Sequence, residues 1–266
     1  MVSQKGDSSV ENEVRAISTI IILNHFKRKK EGLALKKLIE KQTDKHGIDV
    51  KISFDAGGLG VWGNYQQALQ MDSKENEVWR MIIQDDMLFP RQALDKILHI
   101  LKFAPEDPVS FYAPTNKAYK EAVRTQHRII KTHTNFWTQC FLMPTNLVAP
   151  FLSFCEENVS HEYPYEDRRL CLFLQEHDIH AWCVVPGLVQ HLGGFRSVMG
   201  FPGKVGKYFR YSNYFNPRQE VFNEDWTYQF DNPMLSNVSI DKSKMLGKKV
   251  MAKLYGWDFD EKKERL

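Results

Sequence analysis

The sequence predicts an α/β fold, a mixed sheet flanked by helices, on three observations. Residues 16–23, AISTIIIL, form an unbroken, mostly β-branched run of the kind that fills a strand covered on both faces. Short apolar runs of this sort alternate along the chain with segments of helical periodicity. The composition, 42% hydrophobic with 17 Phe, 10 Tyr and 6 Trp in 266 residues, supplies a large core and excludes a coiled coil or a disordered chain.

Taken in order, the first strand leads into the basic NHFKRKKEG and then Leu33, Leu35, Leu38 and Ile39 spaced among lysines, a helix that ends in KQTDKHG. A second strand, IDVKISF, completes a βαβ unit. Residues 55–64, DAGGLGVWGN, read as a glycine-rich loop, and YQQALQM as a short helix that turns Ala68 and Leu69 inward. Residues 78–83 read as a strand that stops at Asp85, Asp86 and Pro90. A helix over 92–102 follows, with Ala93, Leu94, Ile97, Leu98 and Leu101 on one side.

PVSFYAP suggests another strand, residues 117–131 a basic surface helix or loop, and TNFWTQCFLMP a strand feeding a helix near 147–154. EDRRLCLFLQEHDI is a helix led by two acids, and HAWCVVPGLVQHLG a strand followed by an exposed turn. Beyond Gly200 the periodicity fails: residues 201–232 mix aromatic, basic and turn residues, and 241–266 look helical and charged. The expected division is a flexible N-terminus over 1–14, one main domain over 15–200, and a C-terminal aromatic and basic extension over 201–266.

The formal charge is only +3, and its clusters, Lys117 to Lys131 and Lys204 to Arg218, read first as solvated faces. The N-terminal residues carry no apolar core of a signal peptide, and the run at 20–23 is far too short to span a bilayer, so a cytoplasmic protein is expected. Cys140, Cys155, Cys171 and Cys183 form no C-x-x-C pair and read as reduced core residues.

Asp85 and Asp86 are the sharpest chemical feature. An apolar strand that ends in adjacent carboxylates has something cationic to hold, and ligands of open α/β sheets gather outside the carboxyl ends of strands. Hard oxygen ligands suit Mn²⁺ or Mg²⁺ carried with substrate phosphates. An isolated Asp-Asp pair is more readily a turn or a helix cap. Here, however, the pair follows a glycine loop and precedes the acid-led Glu166-Asp167 and the segment PGLVQHLG with His191.

That order resembles the GT-A glycosyltransferases, especially the family 2 type, over roughly residues 16–200. The resemblance implies a metal-dependent transfer of sugar from a nucleotide sugar, with a UDP-sugar favoured, to an acceptor hydroxyl. It places nucleotide-sugar contacts at Asn24, His25, Asp55, Gly57, Gly58 and Asp85. Asp86 corresponds to the metal ligand of the family's D-x-D motif, with Gln84 where an acid is frequent, and Asp85 to a ribose or second metal contact. Asp167 corresponds to the base of inverting members, with Glu166 as its neighbour or substitute, and His191 to a residue that completes the metal site.

For the acceptor, the interleaved rings and cations of KVGKYFRYSNYFNPR, with Lys204, Lys207, Arg210 and Tyr211, suit nucleic acid, though a packed aromatic tail is the plain alternative. On that basis the chain resembles phage glycosyltransferases that modify a hydroxymethylated base in DNA. A surface polysaccharide or glycolipid acceptor and a non-catalytic nucleic-acid-binding module are the competing readings. A nucleotidyltransferase is disfavoured because no G-x-G triphosphate motif with an adjacent basic residue follows the first strand.

Overall fold

A computed structural model describes residues 17–192 and 214–240, apart from 73, 75, 115 and 239. The chain builds β1 (Ile17–His25), α1 (Lys29–Thr43), β2 (Asp49–Asp55), α2 (Gly60–Gln70) and β3 (Trp79–Gln84). There follow β4 (Met87–Leu88), α3 (Ala93–Leu101), β5 (Val109–Ser110), α4 (Lys117–Arg124), β6 (Ile129–Thr132) and β7 (Cys140–Pro144). Next come α5 (Thr145–Asn158), α6 (Glu166–Glu176), β8 (Ala181–Val184), β9 (Gln190–His191), α7 (Trp226–Asp231) and β10 (Met234–Leu235).

Eight of these strands form one mixed sheet in the order β10-β6-β8-β5-β7-β3-β1-β2, and β4 and β9 pair as a separate antiparallel ribbon. β1 runs parallel to both β2 and β3, while β7 is antiparallel to β3. The apolar run of β1 is buried on both faces because helices cover both. Ile20 and Ile22 point into a core shared with α1, α3 and α7. Ile21 and Leu23 point into a second core built with α2, α4, α5 and α6. β3 alternates in the same way, Met81 and Ile83 to the first core and Ile82 to the second, as the two-residue period of a strand requires. The result is the mixed α/β architecture expected from the sequence.

Several boundaries differ from expectation for local reasons. α2 starts at Gly60, inside the glycine-rich segment, because Trp62, Tyr65, Ala68 and Leu69 already have helical spacing and are buried. Only residues 56–59 remain as loop. The basic stretch 117–131 divides into α4 and then β6, whose Ile129 and Ile130 are buried against β8. The strand expected over TNFWTQCFLMP begins only at Cys140, since the Thr132 hydroxyl accepts the amides of Thr134 and Asn135 and turns the chain.

The segment read as lying beyond the main domain adds to the same body. Trp226 of α7 is fully buried and donates its indole N–H to the Val221 carbonyl at 2.7 Å. β10 extends the sheet by pairing with β6. Among the described residues no helix is long and apolar enough to cross a membrane.

Candidate active site

Because β1, β2 and β3 are parallel, their carboxyl ends meet at one edge of the sheet. The register pairs His25 with Asp55 and Leu23 with Gln84. The sequence therefore brings Asn24, His25, Asp55, Asp85 and Asp86 to that edge through strand length alone. His191 arrives separately: β9 pairs it with Met87, the residue after Asp86, and the Leu192 amide donates to the Asp86 carbonyl at 2.8 Å.

The two aspartates have different surroundings. Asp85 Oδ2 accepts from Asn24 Nδ2 at 2.8 Å and from the His25 amide at 2.9 Å. Asp85 Oδ1 lies 3.1 Å from Arg28 Nη1. Burial pushes the Asp85 carboxyl up to about 6, against the pull of Arg28 and these hydrogen bonds. Asp86 Oδ2 contacts Arg28 Nη1 and lies 3.2 Å from His191 Nε2. Burial opposes its charge too, but His191 and Arg28 overcome that and hold the carboxyl well below the usual carboxylate range. Asp86 Oδ1 and His191 Nδ1 are buried without a hydrogen-bond partner.

Asp55 spends one oxygen on the loop itself. Its Oδ1 accepts the amides of Gly57 at 2.8 Å and of Gly58 and Leu59 at 3.2 Å. Gly57 has a φ of +105°, a conformation that side chains with Cβ rarely adopt. Gly57 and Gly58 thus present their amides to Asp55, while the loop itself is exposed.

At the start of α6, Glu166 is buried and accepts from Gln84 Nε2 at 3.1 Å and from the Thr138 hydroxyl at 3.3 Å. This bond joins α6 to the end of β3, next to Asp85. The half-buried Asp167 follows, with Oδ1 accepting the Arg168 amide at 2.8 Å. Lys204, Lys207, Arg210 and Tyr211 lie outside the described residues.

Arg28 was not expected here. It lies in the basic NHFKRKKEG run, and nothing in that run separates it from its neighbours except distance from the strand end. A single 3-10 turn over Phe26–Arg28 makes the distinction: Lys27, Lys29 and Lys30 are exposed, whereas the Arg28 side chain is 13% exposed. Gln84 and Thr138 were likewise missed as the partners of Glu166.

Among the described residues, no three His, Cys, Asp or Glu side chains converge into a cage for a metal ion. Asp85 is turned toward Asn24 and the His25 amide, which leaves Asp86 and His191 as the adjacent donors. Two protein ligands still fit a divalent ion that arrives with phosphate, since such ions commonly take one or two carboxylates and complete their shell from substrate and water.

No protein-family model and no curated protein matches the chain. Among solved structures it is similar to a glycosyltransferase involved in the glycosylation of the major capsid of PBCV-1, with 14% identity and a TM-score of 0.28 over 56% of this chain and 68% of that one. It is also similar to the inositol-1-phosphate CTP transferase from T. maritima, with 10% identity and a TM-score of 0.27 over 65% of this chain and 90% of that one. Likenesses this distant carry no argument, so function rests on the site.

Proposed function

We propose that the protein is a glycosyltransferase that moves a sugar from a nucleotide sugar, with a UDP-sugar favoured, to an acceptor hydroxyl. The observation that carries this reading is the buried Asp85-Asp86 pair at the carboxyl edge of three parallel strands, with one Asp86 oxygen left unpartnered. A buried carboxylate oxygen without a donor is costly unless a ligand completes it. Asp86 and His191 would hold Mn²⁺ or Mg²⁺, and the mixed carboxylate and imidazole set suits Mn²⁺ better. When bound, the ion neutralises the charge that develops on the leaving diphosphate.

Asn24, His25, Asp55, Gly57 and Gly58 border the same edge and are assigned to nucleotide and ribose. Asp167 is assigned as the base: it takes the acceptor hydroxyl proton as that oxygen attacks the anomeric carbon and the bond to the diphosphate breaks, which inverts the centre. Glu166, which accepts from Gln84 and Thr138, is assigned as its neighbour or substitute. For the acceptor, the basic and aromatic segment around Lys204, Lys207, Arg210 and Tyr211 supports a hydroxymethylated base in DNA.

A screen of UDP- and GDP-sugars, read as donor hydrolysis with Mn²⁺ and with EDTA, tests the reading. Metal-dependent hydrolysis of one donor is expected, and a protein that neither binds nor hydrolyses any of them is not this enzyme. Duplex DNA containing hydroxymethylcytosine should bind with a steep salt dependence, and absent or salt-independent binding removes the DNA acceptor.

A further inference from the structure

Among the described residues, the arginines largely withdrawn from solvent are held in two ways. Arg80 is fitted on every side: Nε and Nη2 donate to Glu77 Oε2 at 3.2 and 2.9 Å, and Nη1 donates to the Leu69 carbonyl at 2.5 Å. Arg169 likewise donates to the carbonyls of Tyr163 and Ser160. Arg28 is different. Its Nη1 alone lies between Asp85 Oδ1 and Asp86 Oδ2, while Nε is buried without a hydrogen-bond partner. A guanidinium held through one nitrogen, without the paired bonds of a fitted fork, gives up less when it moves.

The carboxylate it faces is only half satisfied. Asp86 is 10% exposed at its side chain; Oδ2 is shared by Arg28 and His191, and Oδ1 has no donor. A divalent ion on Asp86 would lie against the guanidinium, and two cations at that distance in a buried site repel strongly.

We propose that the Arg28 guanidinium and a divalent metal ion are alternative occupants of the cation position at Asp85, Asp86 and His191. Arg28 neutralises the two carboxylates when the ion is absent and withdraws toward the site edge when the ion enters. This rests on the assignment of Asp86 and His191 to metal made above. It implies that the ion alone binds poorly and is helped by a diphosphate, which offers the displaced guanidinium a new anionic partner.

The test uses MnCl₂ alone, by calorimetry and by thermal melting against EDTA, on the full chain and on Arg28→Gln and Arg28→Lys. Arg28→Gln should bind Mn²⁺ at least tenfold more tightly than the parent. Its melting temperature should be lowered in EDTA and restored toward the parent value by Mn²⁺, while the parent barely responds. Arg28→Lys, which keeps the charge, should bind Mn²⁺ no more tightly than the parent. Should Arg28→Gln not fold, Arg28→Met, which keeps the aliphatic stem and removes only the charge, replaces it and is expected to show the same tenfold gain. Mn²⁺ affinity unchanged or weakened on loss of the Arg28 charge overturns the proposal. The readout needs no nucleotide, so a failed donor screen and a failed displacement are separate results.

Discussion

Asp86 and Asp167 separate binding from chemistry at the level of single side chains. Asp86→Ala should lower metal-dependent donor affinity by at least a hundredfold in calorimetry. Asp167→Ala should leave that affinity intact and slow transfer by roughly 10²–10⁴-fold, the usual contribution of a positioned base. Unchanged donor affinity in the first variant would sink the metal assignment. Asp55 makes a pH prediction. Burial opposes its charge, but the amides of Gly57, Leu59 and Gly58 hold its carboxyl below the ordinary value. The ionised form is therefore favoured by folding, a contribution present above about pH 4 and lost as pH falls through the folded value. Asp55→Asn keeps an acceptor that does not titrate, so its melting temperature should fall less than the parent's between about pH 5 and pH 3. The two aspartates of the pair were legible because the strand before them is apolar. Arg28 was not, because four cations in one run look alike until a turn points one of them back.

At the scale of elements, α1 packs against the end of β1 through Gly32. A Cβ there would stand 2.5 Å from the Asn24 side chain, the group that donates to Asp85 Oδ2 and to the Arg28 carbonyl. Gly32→Ala should cost about 1–3 kcal/mol in urea unfolding, as overpacking does, despite the better helix propensity of alanine. A variant as stable as the parent would show that Asn24 has room to move. Helices α1, α3, α5 and α6 and the three parallel strands were readable from their apolar patterns. The ribbon of β4 and β9 was not, because two-residue strands leave no periodic signal. Its pairing, rather than its sequence, places His191 beside Asp86.

Across the whole molecule, the weakest reading was the end of the described chain. Residues 214–240 have mixed aromatic and turn composition, yet Val221, Trp226 and Phe230 complete the core over one face of the sheet. The signal was hidden because a six-residue helix and a two-residue strand are too short to display a period. Trp226→Ala should destabilise the entire domain by about 3–5 kcal/mol in a single unfolding transition. A loss below about 1 kcal/mol, or a separate early transition, would mean that this segment is an appendage.

The four thiols carry a practical consequence. Cys140, Cys155, Cys171 and Cys183 are all free of disulfides and buried, and burial pushes each thiol far above its ordinary value. Thiolate is the reactive form, so the native chain should behave toward alkylating reagents as though it had no cysteine. The four lie on β7, α5, α6 and β8, and a reagent reaches them only when the core opens. Labelling followed by mass spectrometry would therefore time the breathing of this interior, and a single cysteine introduced at the exposed Phe26 would carry a probe at the rim of the site without competition from within.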